Sequence, residues 1–277
     1  MGVGSRVRRV PRGIAVSVPV GVAVWWDDPA DGPTNMAADE WLAAEADSRG
    51  GMLLRVYGWS PTTVSIGAFQ PIAAARAAVD IRGVPIVRRP SGGGAIVHGS
   101  DLTYAAAVPR SHPWGGDPQA FYDALHGAMA AVLAEHGVEA APFRPAGGAA
   151  SRPDREDRFF CFDRRAAGDL VLPAAGDAKV MGSAQRRLAG VVLQHGSLLL
   201  RGNAEVSGAA RHPGITELVP TASLPGPRGL ARAWAMRIAA ALGTAVSEEV
   251  GAFGDVWADE VAAGAARFRD PRWMNRR

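Results

Sequence analysis

The chain holds one cysteine, Cys161, and one lysine, Lys179, eighteen residues apart; the other 29 of its 30 basic residues are arginine. A sole lysine in so arginine-rich a background stands out as a candidate functional residue, because a compact ammonium and a guanidinium are not interchangeable. A thiol needs help to become a thiolate: a nearby ammonium favours it, and a neutral amine can take its proton. Lysine responds strongly to burial, so a partly desolvated Lys179 can work near neutral pH. The setting FFCFD also reads as packing, because a cysteine between phenylalanines usually behaves as a small hydrophobe. Lys179, across an expected hairpin, makes the pair a candidate nucleophile and its partner.

A second feature is the run Arg88-Arg89-Pro90-Ser91-Gly92-Gly93-Gly94-Ala95. Glycines let backbone approach a ligand closely, and exposed N–H groups can hold a carbonyl oxygen or a phosphate. The flanking arginines favour anionic groups. The run is neither a Walker A loop nor a Rossmann turn, and a plain glycine-rich hairpin explains it equally well. Gly182-Ser183-Ala184-Gln185 and His195-Gly196-Ser197 are small polar segments able to line a pocket. His98 and His195 are candidate acid–bases, although a histidine in a strand is more often a hydrogen-bond partner.

These residues need elements to hold them. Residues 22–26, 53–57, 63–66, 85–89, 102–108, 159–162, 169–172, 179–187 and 190–200 read as strands. Residues 35–46, capped by Thr34 or Asn35, 118–136, 229–242 and 248–262 read as helices. Residues 140–157 read as a surface loop. Strands followed by helices predict an α+β domain with a mixed, largely antiparallel sheet flanked by helices. The expected organisation is a ragged extension over 1–20, a catalytic domain over 21–245 and a helical tail over 246–277 packed on it.

Composition narrows the class. A hydrophobic fraction of 48% and a charged fraction of 21% are those of a globular protein. One cysteine allows no internal disulfide and no cysteine-based metal cluster, which suits a reducing cytoplasm. Arg6, Arg8, Arg9 and Arg12 precede an apolar stretch over 14–24, but Pro19 and Gly21 interrupt it and no A-x-A site follows, so a signal peptide is not expected. No segment is long enough for a membrane span. A net charge of +3 suits an acidic protein partner, and no nucleic-acid-binding motif is present.

Six segments, in order, resemble the lipoate–protein ligase and octanoyltransferase superfamily, which shares its fold with biotin protein ligase. They are NMAADE (35–40), WSPTTVSIGAFQ (59–70), RRPSGGGAIVH (88–98), DLTYA (101–105), AKVMGSAQRR (178–187) and QHGSLLL (194–200). Cys161-Phe162 stands where one octanoyltransferase group carries its cysteine, ahead of the lysine motif. The resemblance implies that Cys161 takes octanoyl from acyl carrier protein as a thioester and passes it to a lysine of a lipoyl domain, such as glycine cleavage H protein or 2-oxoacid dehydrogenase E2. It implies that Lys179 is catalytic, that Arg88, Arg89, Ser91, Gly92, Gly93, Gly94, His98, Gly182, Ser183, Ala184, Gln185 and His195 bind substrate, and that no cofactor is required. Two alternatives stay open: an ATP- and Mg-dependent lipoate ligase, with Arg88 and Arg89 on phosphate, and an amidotransferase between carrier domains. A cytoplasmic monomer is expected.

Overall fold

Apolar runs bounded by Gly, Pro and Asp set the strands and helices of the chain. The computed structural model describes residues 21–145, 159–249 and 251–276. The expected N-terminal extension and most of the 140–157 loop lie outside the described residues. In chain order come β1 (Val22–Trp26), α1 (Gly32–Arg49), β2 (Met52–Tyr57), β3 (Thr63–Ile66), α2 (Ile72–Ala77), β4 (Ile86–Arg88), β5 (Ile96–His98) and β6 (Asp101–Pro109). They are followed by α3 (Pro118–Glu135), β7 (Ala141–Pro142), β8 (Leu170–Leu172), β9 (Ala178–Leu188), β10 (Val191–Leu199), α4 (Ile215–Leu218) and α5 (Pro227–Ala241). The C-terminal part adds β11 (Val246–Glu248), α6 (Phe253–Val256), α7 (Ala258–Arg269) and α8 (Pro271–Met274).

Eight strands form one sheet in the order β11-β1-β2-β6-β10-β9-β8-β7, and β4-β3-β5 form a smaller one. In the large sheet only β1 pairs in parallel, with β2 and β11; the other neighbours are antiparallel. This is the expected α+β architecture. The central strand β6, DLTYAAAVP, is buried on both faces. Leu102, Tyr104, Ala106 and Val108 join the core under α3 and α5, whereas Ala105 and Ala107 pack beneath α1. Small alanines on one side let α1 approach closely, and period two along the strand divides the two cores.

On α3, Phe121, Leu125, Met129, Val132 and Leu133 are fully buried, the spacing of one helix face. Burying each such side chain stabilises the fold by roughly 1.5–3 kcal/mol. Asp117 caps this helix by accepting from Gln119 and Ala120 N–H, with Pro118 in the first turn.

Three expectations about elements change. The cap of α1 is Asp31, which accepts from Thr34 N–H at 2.9 Å, and Pro33 occupies the first turn, so the helix begins before residue 35. Asn35 instead donates to Ala30 and Gly58 carbonyls. Residues 159–162 are not a strand: Phe160 makes a single bridge to Ala95, and Cys161–Asp163 turn as a 3-10 helix with Arg164 N–H on Cys161 O. The expected helix from 248 begins only at Phe253, because 246–248 pair with the open edge of β1. The tail is thereby tied to the large sheet, and α7 packs along α1.

Candidate active site

The glycine run and the cysteine segment lie against each other. Cys161 N–H donates to Ala95 O at 2.7 Å and Ala95 N–H to Phe159 O at 3.0 Å. A Cβ at position 94 would fall 2.8 Å from Cys161 N and 2.9 Å from its Cα, so only glycine lets the two segments come this close. The turn at Cys161–Asp163 then lifts the thiol out of the strand line.

Lys179 enters from β9. The pairing of β8 with β9 shifts register between Leu170 and Val171, opposite Met181 and Lys179. Such an irregularity re-aims side chains next to functional sites. The Lys179 side chain curls over Gly182, where a Cβ would sit 2.3 Å from its Cε and 2.6 Å from its Nζ. Nζ lies 3.5 Å from Cys161 Sγ and 3.5 Å from Cys161 O.

Asp169 completes the group. Its Oδ2 accepts from Lys179 Nζ at 2.8 Å and from Ala166 N–H at 2.6 Å, and Oδ1 accepts from Tyr122 OH at 2.6 Å. Burial works against the Lys179 ammonium, but Cys161 and Asp169 outweigh it and raise its pKa above the ordinary lysine value. Of the two roles considered for Lys179, an ammonium that favours the thiolate fits this pairing better than a neutral amine that removes the thiol proton. A cation beside sulfur is the setting in which thiolate nucleophiles occur.

Cys161 opens on a narrow slot lined also by Met36, Trp59 and Ile96. Of the residues singled out from sequence, Arg89, Gly93, His98, Gly182, Ser183, Ala184 and His195 line it as well. Arg88, Ser91, Gly92, Gly94 and Gln185 do not. Gln185 turns to the far side, where its amide donates to Pro118 O at 2.6 Å and Gln194 Oε1 at 2.8 Å.

The two arginines are bound inward. Arg88 donates to the carbonyls of Gly67, Ala68, Gln70 and Met274, and Arg89 to Ser65 O and Oγ and to the Gly92 and Gly94 carbonyls. They brace the glycine run and the C-terminal turn, and neither presents an open guanidinium fork to a phosphate.

The histidines are similarly engaged. His98 Nδ1–H donates to Asp101 Oδ2 at 2.8 Å, and its Nε2 lies 2.7 Å from Ser65 Oγ. Burial opposes the Asp101 carboxylate, but His98, Ser197 and Thr103 together hold its pKa at about 2. His195 Nδ1–H donates to Asp39 Oδ2 at 3.1 Å, and Ser91 Oγ bonds its Nε2. Beneath them Arg55, fully buried, pairs with Asp27 and Asp39.

Three members of this site carried no signal in the sequence reading. Asp169 was one of 27 acidic residues; its place ten residues before Lys179, at the head of an apolar strand, was the available clue. Tyr122 and His126 lie on α3, whose apolar periodicity drew attention to its other positions.

Cys161 lines a narrow, mostly apolar slot and Lys179 stands beside its sulfur, an arrangement compatible with acyl-group chemistry. Residues 31–217 match the model of the lipoyl protein ligase A/B catalytic domain. Octanoyltransferase LipM of Symbiobacterium thermophilum is 38% identical over 247 residues, covering 85% of this chain and 82% of the relative. LipM of Moorella thermoacetica is 37% identical over 180 residues, 64% of each chain. Among solved structures, lipoate-protein ligase A bound with ATP matches with a TM-score of 0.67 at 18% identity, over 92% of this chain and 98% of that one. An archaeal bipartite lipoate protein ligase from Thermoplasma acidophilum matches with a TM-score of 0.64 at 17% identity, over 92% and 96%. This chain belongs to the lipoyl protein ligase A/B catalytic-domain family. It is an acyltransferase.

Proposed function

We propose that this chain transfers an octanoyl group from octanoyl acyl carrier protein to the lysine of a lipoyl domain, through a thioester on Cys161. The observation that carries the reading is Cys161 Sγ at 3.5 Å from Lys179 Nζ, with Asp169 holding the same nitrogen at 2.8 Å. In the first half-reaction the Cys161 sulfur attacks the donor thioester carbonyl, and the carrier thiol leaves. The Lys179 ammonium stabilises the negative charge that passes between sulfur and oxygen. Gly93 lines the slot, and its N–H meets no acceptor among the described residues, so it is available to a developing oxyanion. The apolar slot takes the acyl chain. In the second half-reaction the carrier lysine attacks the Cys161 thioester and the amide forms.

Thioester to amide runs downhill, so this route consumes no ATP. The ligase alternative asks Arg88 and Arg89 to hold phosphate, and their donors already serve backbone carbonyls. The partners under this reading are octanoyl acyl carrier protein and a lipoyl domain, for which glycine cleavage H protein and 2-oxoacid dehydrogenase E2 are candidates. The reading sets the enzyme in the cytoplasm as a monomer. No helix among the described residues is long and apolar enough to cross a membrane.

The test is to incubate the enzyme with octanoyl carrier protein and a lipoyl domain, without ATP. The lipoyl domain gains an octanoyl group if the reading holds. Modification that requires a free fatty or lipoic acid together with ATP would assign the chain to the ligases, and transfer only from an octanoylated carrier domain would assign it to the amidotransferases.

A further inference from the structure

The floor of the slot follows one line across the large sheet. Gly182 on β9 pairs with Ser197 on β10, Ser197 with Thr103 on β6, and Thr103 with Tyr57 on β2. Residues paired directly across strands point to one face of a sheet. Here it is the face under α1, where Tyr57 OH donates to Asp39 Oδ2 at 2.9 Å and Thr103 Oγ1 accepts from Trp59 Nε1 at 2.8 Å. Gly182, Thr103 and Tyr57 all line the slot. Along the line the side chains are a hydrogen, two small hydroxyls and then a phenol ring, so the floor is open until Tyr57 rises from it.

The reacting sulfur stands at the other end. Lys179 curls over Gly182 and brings its Nζ to 3.5 Å from Cys161 Sγ. Neighbouring strands lie about 4.8 Å apart, so the three steps from Gly182 to Tyr57 cover roughly 14 Å. An octanoyl chain extended from sulfur, with bonds of about 1.5 Å, reaches roughly 10 Å. Contact between its terminal methyl group and a ring takes about 4 Å more, which fills the line. The ring is also held in place. It is buried, its hydroxyl is bound to Asp39, and the Arg55 guanidinium lies 3.9 Å from its centroid while pairing with Asp27 and Asp39. Turning it aside would break the bond to Asp39 and press hydrocarbon against a buried ion-pair network, which is costly.

We infer that Tyr57 closes the acyl slot and sets its limit at eight carbons, admitting octanoyl and excluding dodecanoyl. The inference rests on the covalent reading above, which puts the carbonyl end of the chain at Cys161, and it adds the residue that gauges the methyl end. Tyr57 acts by the space its ring fills. It determines specificity and takes no part in the bond changes at sulfur.

The test is a ladder of hexanoyl, octanoyl, decanoyl and dodecanoyl carrier protein, with adduct formation on Cys161 followed by intact mass. In the wild type the rate is expected to rise about fourfold per methylene up to octanoyl. It is then expected to fall about 100-fold or more by dodecanoyl. Tyr57→Leu shortens the side chain at the end of the line and keeps it apolar, and it is expected to bring dodecanoyl within about tenfold of octanoyl. Tyr57→Phe keeps the ring, and Ile96→Ala removes bulk near Cys161, where Ile96 packs, and not at the far end. Both are expected to keep the octanoyl preference. A thermal melt shows that each variant is folded; should Tyr57→Leu fail to fold, the wild-type ladder and Ile96→Ala decide. Dodecanoyl reacting as fast as octanoyl in the wild type overturns the inference. So does an unchanged preference in folded Tyr57→Leu, or admission of dodecanoyl by Ile96→Ala. Absence of an adduct at every length overturns the covalent reading instead, and the limit is then read from the same ladder by transfer to a lipoyl domain.

Discussion

Asp169 and Lys179 form a buried ion pair at 2.8 Å, and the lysine nitrogen is also the one that lies 3.5 Å from the Cys161 sulfur. One ammonium thus sits between a carboxylate and a thiol. Asp169 is almost wholly buried and accepts three hydrogen bonds, so it fixes where the lysine points as well as its charge. Removing that carboxylate by Asp169→Asn takes away one of the two groups that raise the pKa of Lys179. The alkaline limb of the acylation rate then moves to lower pH, and the rate at neutral pH falls about 10- to 100-fold. A pH–rate profile of wild type against variant checks this; an unchanged limb contradicts it.

The same ion pair has a stability signature. Lys179 has a folded pKa above its ordinary 10.5, so its contribution is fully present below that value and is lost as pH rises through the raised one. Wild-type denaturation midpoints therefore hold across neutral pH and fall on the alkaline side. In Asp169→Asn the stability at pH 7 drops by roughly 3–5 kcal/mol, because a buried ammonium loses its partner.

Gly182→Ala tests the path of the lysine side chain. The added methyl group lies 2.3 Å from Lys179 Cε, so Lys179 must move off its line to the sulfur. A displacement of about 1 Å lowers acylation about 100-fold. The thermal melt changes far less than the rate, because the substitution adds bulk at the slot and leaves the strand pairing intact. Near-normal acylation by this variant would show that the lysine position is not critical.

His126 makes the fold sensitive to acid. Its folded pKa of about 4 lies below its ordinary 6.5, so the unfolded chain binds the proton first and stability falls as pH drops from 6.5 toward 4. Between pH 7 and pH 5 this removes about 2 kcal/mol. Urea midpoints at the two pH values measure it. His126→Gln is expected to start less stable at pH 7 and to lose most of this acid dependence.

Much of this was legible in the residues. The strands at 22–26 and 63–66 and the helix from 118 followed from apolar periodicity and cap chemistry, because those signals lie within one element. The rarity of Cys161 and Lys179 singled out the pair, and the folded chain brings them together. The backbone turn at Cys161–Asp163 was hidden, since FFCF has strand propensity and only its contact with the glycine run bends it. The roles of Arg88 and Arg89 were hidden for a related reason. An arginine beside glycines reads as an anion site, whereas the carbonyls that engage these two come from residues 65–70, 92, 94 and 274.

Asp169, Tyr122 and His126 show what spacing cannot deliver. Each reaches the site from an element that the sequence reading took as a plain strand or helix, and none stands in an unusual local setting. Their side-chain contacts with Lys179, Ser183 and each other span 10 to 61 residues along the chain and are fixed only when α3 packs on β8 and β9. The strand at 246–248 is a further case, because its pairing is set by the free edge of β1 and not by its own three residues.

The most direct measurement is the intact mass of the enzyme after incubation with octanoyl carrier protein and no ATP. The expected result is a gain of one octanoyl group in the wild type that is absent in Cys161→Ala. An unmodified wild-type enzyme that still octanoylates a lipoyl domain, or a Cys161→Ala variant of full activity, would contradict a thioester on Cys161.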